Sequence, residues 1–181
     1  MSVNEKNNEQ NNEENFDQPS FELKSQYLKD CSFENPNAPE CFNMQQQPKI
    51  GIAINLNATH MAENHYEVTL HLEAHAELEE DKSLFLASTD YCGIFAVAAD
   101  IEEEELQQLL LVDGPSLLFP YARHIISDMT REGGFPALNL ANVDFVKLYA
   151  QKKAQGLVDV VGKRPQEKDV QNEEPTSKVV N

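Results

Sequence analysis

Tryptophan is absent from these 181 residues, and cysteine occurs only at Cys31, Cys41 and Cys92. The three cysteines form no CxxC pair and their number is odd, so with no sign of secretion a reducing cytosol is the expected home. No apolar run approaches the ~20 residues that span a bilayer. The stretch from Met1 to Gln18 is rich in Asn, Glu and Gln, lacks a hydrophobic segment and is not expected to act as a signal peptide. Basic residues are also scarce: 14 Lys and Arg against 31 Asp and Glu leave a net charge of −17. That balance argues against nucleic acid, whose phosphates are held mainly by Lys and Arg. It suits solubility, and it favours encounter with positively charged chains.

Catalytic signatures are missing as well. The sequence holds no G-x-S-x-G, no glycine-rich phosphate loop, no H-E-x-x-H and no dinucleotide fingerprint. His71 and His75 fall on one strand face, but four strand residues span about 13 Å, too far for one metal ion. His65 would share that face if the strand began that early, and His60 and His124 do not fall into ligand spacing, so the strand histidines read as solvent-facing. Cys31 and Cys41 flank Asn35-Pro-Asn-Ala-Pro39 with no adjacent cation to lower a thiol pKa, and read as buried or half-buried structural thiols. Carboxylates are abundant, yet abundance alone is no sign of a paired acid and base. No enzyme activity and no cofactor is expected.

What is present is a strand-rich half followed by a helical one. Residues 1–20 hold too little apolar surface to offset ordering entropy and are expected to be disordered. Tyr66, Val68, Leu70, Leu72, Ala74, Ala76 and Leu78 alternate with polar residues, the period of a half-buried strand. Ile50, Ile52, Ile54 and Leu56 predict a second strand. Phe21, Leu23, Tyr27, Cys31 and Phe33 predict a rougher first one. Leu84 to Val97 predicts a fourth, joined to the third by a Glu79–Lys82 turn. Asp100 is placed to cap a helix over Ile101–Val112. A second helix is expected from about Ser116, with Pro120 tolerated in its first turn or so and Gly133 at its end. Asn142 is placed to cap a last helix carrying Phe145, Leu148 and Tyr149. The fold class is α+β: a four-stranded antiparallel sheet with helices on one face. The domain spans residues 21–155, and 156–181 reads as a flexible tail.

Three segments carry a resemblance. Tyr27-Leu-Lys-Asp-Cys-Ser-Phe-Glu-Asn-Pro-Asn-Ala-Pro39, Gly114-Pro-Ser-Leu-Leu-Phe-Pro-Tyr-Ala-Arg123 and Gly133-Gly-Phe-Pro-Ala-Leu-Asn-Leu-Ala141 closely resemble the bacterial export chaperone family SecB. There they are the first strand with its crossover turn, the start of the long helix, and the loop before the last helix. The resemblance runs in order from about Phe21 to Gln155. It implies an ATP-independent cytoplasmic holdase, a homotetramer built as a dimer of dimers. Such a protein binds unfolded secretory preproteins, keeps them translocation-competent and delivers them to the export ATPase SecA.

The same resemblance implies residue roles. Phe42, Phe119, Tyr121 and Phe135 fall in segments that line the family's client grooves. Asp30, Glu34 and Leu86 match residues that meet SecA on the exposed sheet. Ser88 stands where the family has a further acid, with Asp90 nearby. A groove position that is sometimes Trp must be filled otherwise, within Met44–Gln47. Two alternatives stay open: a SecB-like chaperone dedicated to an antitoxin, and a small-ligand-binding protein or enzyme. The second lacks any convergent polar cluster in these segments.

Overall fold

The computed structural model describes residues 21–43, 46–78, 82–156 and 160–161. The alternating stretch forms the long strand β3 (His65–Leu78), whose even-numbered residues from Tyr66 to Leu78 are buried beneath the helices. β3 pairs antiparallel with β2 (Lys49–Ala62) on one side and with β4 (Lys82–Val97) on the other. The first strand, β1 (Phe21–Glu34), pairs with β4 rather than with its sequence neighbour. The chain therefore crosses the sheet between β1 and β2, through a 3-10 turn at Glu40–Asn43 that buries Cys41. The expected turn residues 79–81, and Met44 and Gln45 of the expected groove position, lie outside the described residues. Two residues of the expected tail form β5 (Val160–Val161), parallel to β2 at Ala58 and Thr59. The sheet order is β1-β4-β3-β2-β5.

The roughness of β1 has a geometric cause. Its register slips once between Leu23 and Ser25 and again between Leu28 and Asp30. Each extra residue, Lys24 and then Lys29, switches which parity faces the helices. Phe21, Leu23, Gln26, Leu28, Cys31 and Phe33 consequently share the helix face. Tyr27, expected with them, turns to the opposite face and donates a hydrogen bond to Glu67.

The helical half departs from expectation at Gly114-Pro115. In place of two helices there is one unbroken run: α1 (Glu103–Gln108), a π-helical turn (Leu109–Asp113) and α2 (Gly114–Glu132). Proline cannot donate to the carbonyl four residues back and its ring crowds it, and a widened π turn relieves both. Glu102, not Asp100, precedes α1. Pro120 lies well inside α2 rather than in its first turn. α3 (Phe145–Ala154) is capped by Asp144, whose Oδ1 accepts from the Lys147 amide at 3.0 Å. Asn142, the expected cap, instead accepts from Arg123 Nη1 at 2.9 Å. Phe95, Leu70, Leu110, Leu118 and Ile126 fill the core between sheet and helices.

Candidate functional site: an aromatic patch and an outer sheet face

Two apolar surfaces and one polar face remain uncovered. The first surface is aromatic and sits where the crossover turn meets the loop after α2. Phe135 lies 5.0 Å from Phe85, 5.4 Å from Phe42 and 6.4 Å from Phe33, measured between ring centroids. Thr130 fixes this loop: its hydroxyl donates to the Ile126 carbonyl at 3.1 Å and accepts from the Leu138 amide at 3.0 Å. Gly133 and Gly134 let the loop lie on the rings, since a Cβ at Gly133 would sit 2.2 Å from the Phe33 ring. Phe42 is 49% exposed while seated against Phe135. Along the same cross-strand rows run Phe85, Ala76 and Ile50, then Phe33, Ala87, Ala74 and Ile52. Ile50 and Ile52 are exposed at the far side.

The second surface is about six strand residues, or roughly 20 Å, along β4. There Tyr121 stacks on Tyr91 at 5.7 Å, beside β1, whose Leu28 is the register partner of Tyr91. Leu28, Leu117 and Tyr121 are all exposed.

Of the four expected groove residues, the structure brings together Phe42 and Phe135 and sets Tyr121 apart. Phe119 is a correction: it is 4% exposed and packs edge-on against Phe145 at 5.7 Å. The resemblance placed it in a groove-lining segment, with Pro120 expected in the first turn or so of its helix. Pro120 sits inside a continuous helix instead, so Phe119 joins Leu118, Ala122 and Ile126 on the buried side. The sequence reading missed Phe33 and Phe85 as partners of the loop. The Gly133-Gly134 pair was the available signal, because adjacent glycines next to aromatics permit close backbone approach.

The sheet face away from the helices is polar. Asp30 pairs with Asp90, Ser32 with Ser88 and Glu34 with Leu86, so the three expected contact residues share one face, Glu34 and Leu86 in one row and Asp30 two rows along. Two like charges opposite each other across β1 and β4 repel. His71 answers on the next strand, its Nδ1 lying 2.5 Å from Asp90 Oδ1. His71 is thus half-buried and partnered rather than simply solvent-facing. At Ser88 the two hydroxyls Ser32 Oγ and Ser88 Oγ meet at 2.9 Å, a neutral bond where an acid was expected. Further along, Lys29 Nζ bonds Glu67 at 2.8 Å. Lys29 first, then Tyr27, hold the Glu67 carboxyl below its usual value, and the same bond pushes the Tyr27 hydroxyl up to about 12. Burial pushes the Cys92 thiol up, against the hydrogen bond with Thr69 at 3.3 Å. Cys41 is buried as expected, whereas Cys31 is exposed, against the expectation of a buried or half-buried thiol. No group of three or more His, Cys, Asp or Glu among the described residues could hold a metal ion. Among the described residues no helix is long and apolar enough to cross a membrane.

The family model described as "Preprotein translocase subunit SecB" matches residues 14–156. A protein-export protein SecB of Rhodopseudomonas palustris (strain BisB5) is 48% identical over 134 residues, 74% of this chain and 84% of the relative. That of Paramagnetospirillum magneticum (strain ATCC 700264 / AMB-1) is 43% identical over 141 residues, 77% of this chain and 89% of the relative. The solved structure of the Mycobacterium tuberculosis Rv1957 SecB-like chaperone, in complex with a peptide from the HigA1 antitoxin, shares the fold. It aligns with TM-score 0.58 at 16% identity, over 68% of this chain and 91% of that one. The chain belongs to the SecB family.

Proposed function

We propose that the protein is a cytoplasmic, ATP-independent holdase that binds unfolded secretory preproteins and passes them to the export ATPase SecA. It acts by binding rather than catalysis. The observation that carries this reading is the half-exposed Phe42–Phe135 group, a set of rings on the surface of a chain whose family is named for preprotein export. Exposed apolar surface of this kind marks a binding site on a soluble protein. Burying one client aromatic there contributes about 1–3 kcal/mol, too little for tight binding by one site. Several copies joined in one tetramer make later contacts intramolecular and raise avidity. The Leu28–Tyr91–Tyr121 surface, with Leu117, suits a contact between subunits. Asp30, Glu34 and Leu86 on the outer face are proposed to meet SecA, with client and ATPase on opposite sides of one sheet. Relatives at 43–48% identity carry the export name, whereas the antitoxin-bound chaperone supports the fold alone.

Dilution of a urea-unfolded precursor into buffer tests this reading. The protein in molar excess is expected to slow refolding without ATP, and Phe42→Ala with Phe135→Ala to restore most of the rate. Refolding at an unchanged rate in the presence of the intact protein would overturn it.

A further inference from the structure

Asp30, Asp90, His71 and Asn55 form one cross-strand row on the outer face, from β1 through β4 and β3 to β2. Asp30 and Asp90 stand opposite each other in it, and like charges so placed repel. His71 sits between two carboxylates. Its Nδ1 is 2.5 Å from Asp90 Oδ1, and its Nε2 is 4.0 Å from Glu73 Oε2. A neutral imidazole has a single N–H, which the close Asp90 contact takes, so Nε2 has no proton to offer Glu73. The imidazolium has two, and each then points at a carboxylate. The lysines that approach this row have other partners: Lys29 Nζ of β1 bonds Glu67 at 2.8 Å, and Lys152 Nζ of α3 bonds Asn55 at 3.1 Å. His71 and Asp90 keep one-third of their side-chain surface exposed, within reach of both solvent protons and a docked protein. His75, farther along the same strand, lies instead over Gly51, where a Cβ would be 2.2 Å from its ring.

We propose that His71 is a pH-sensitive switch on the outer face, whose protonation cancels the charge of Asp90 and so weakens docking of a basic partner surface at the Asp30–Asp90 pair. Histidine ordinarily changes charge between about pH 5 and 8. With His71 neutral, the row carries two opposed negative charges, and a cation brought by the partner relieves their repulsion. With His71 charged, the internal cation has already done so. The proton and the partner thus compete for one carboxylate, and each lowers the affinity for the other by the same factor. Lys29 and Lys152 hold their charge throughout that range, as fixed background. The proposal rests on the reading of this face as the SecA contact and adds a regulator to it.

The test uses the full chain, with His71 frozen in each of its two states. His71→Gln keeps a neutral donor to Asp90, and His71→Arg keeps a permanent cation there. SecA affinity of the intact protein is expected to fall about threefold between about pH 8 and pH 6 at low salt. His71→Gln should bind tightly at both pH values and His71→Arg weakly at both, while His75→Gln should keep the response of the intact protein. SecA itself titrates over this range, so the switch is the difference between the intact protein and the frozen variants. A partner-free reading comes from the backbone amide resonance of Asp90, expected to move with pH in the intact protein and to stay still in His71→Gln. An Asp90 resonance that moves equally in both, or a pH response of SecA binding that survives in His71→Gln, would overturn the switch and leave the SecA reading intact. No SecA binding at any pH, with the Asp90 response present, would overturn the SecA reading and the gating with it.

Discussion

Gly134 closes α2 with φ +88 and brings the loop so near Phe42 that a Cβ would lie 2.9 Å from its ring. Gly134→Ala is expected to cost about 1–2 kcal/mol in backbone strain and to displace Phe42 from Phe135. Gly156, at φ +68 with nothing within 4 Å of its Cβ position, is the matched control. Both alanine variants should lower the melting temperature, but only Gly134→Ala should weaken client binding. Glu67 offers a second test, because its two hydrogen bonds act on opposite limbs of a pH profile. Its carboxyl titrates below the usual 4.5, so the stability it confers is complete above that pH and is lost as pH falls through the native value. The Tyr27 hydroxyl is raised from 10.0 to about 12, so its share is complete below pH 10 and is lost on the way to 12. Glu67→Gln should lower stability near neutrality by about 1–2 kcal/mol and flatten both limbs, read from urea midpoints across pH.

Lys29 shows how far one residue can carry at the level of an element. Its bulge sets Asp30 and Glu34 on the outer face and Cys31 and Phe33 on the helix face. Deleting Lys29 should close the bulge and leave Asp30 opposite Asp90 and Cys31 opposite Thr89, so cooperative unfolding monitored by near-ultraviolet circular dichroism is expected to survive, with stability lowered by loss of the Lys29–Glu67 bond. Bulges of this kind also mark where the sequence stops being legible. β3 could be read outright, since every second residue from Tyr66 to Leu78 is apolar and no slip interrupts its pairing with β2 until the hairpin. In β1 the same period-two reading put Tyr27 on the wrong side, because nothing in Lys24 or Lys29 announces an extra residue. Gly114-Pro115 looked like a helix break, and local propensity lost to the packing of Leu110, Leu111 and Leu118 on the sheet, which keeps the helix running through a π turn. The same override explains Phe119, whose helical phase, not its proline neighbour, decides its exposure. Phe42 and Phe135 were legible as a site only through the resemblance. Their mutual contact depends on a crossover that no local pattern reveals.

For the whole molecule, the exposed Leu28, Leu117 and Tyr121 call for a partner surface. Sedimentation is expected to give a mass near four times 20.4 kDa, with a lone subunit at micromolar concentration as the contrary result. Leu28→Asp with Leu117→Asp should shift that distribution towards smaller species. On the opposite face, Asp30→Lys with Glu34→Lys is expected to slow association with SecA and to flatten its salt dependence, leaving client affinity unchanged. Binding rates measured between low and high salt check both halves of that statement. The sheet order holds a consequence of a different kind. β1 is the first described strand to leave the ribosome, yet its partner β4 begins only at Lys82 and ends at Val97. At about 5–20 residues per second of synthesis, Phe21, Leu23, Leu28 and Phe33 wait for several seconds with no strand to join. During that interval the nascent chaperone is itself an unfolded chain with apolar segments set between polar ones. Finished copies of the protein are therefore expected to meet their own unfinished sister chains as clients, and selective ribosome profiling with the mature protein as bait would register them before codon 97.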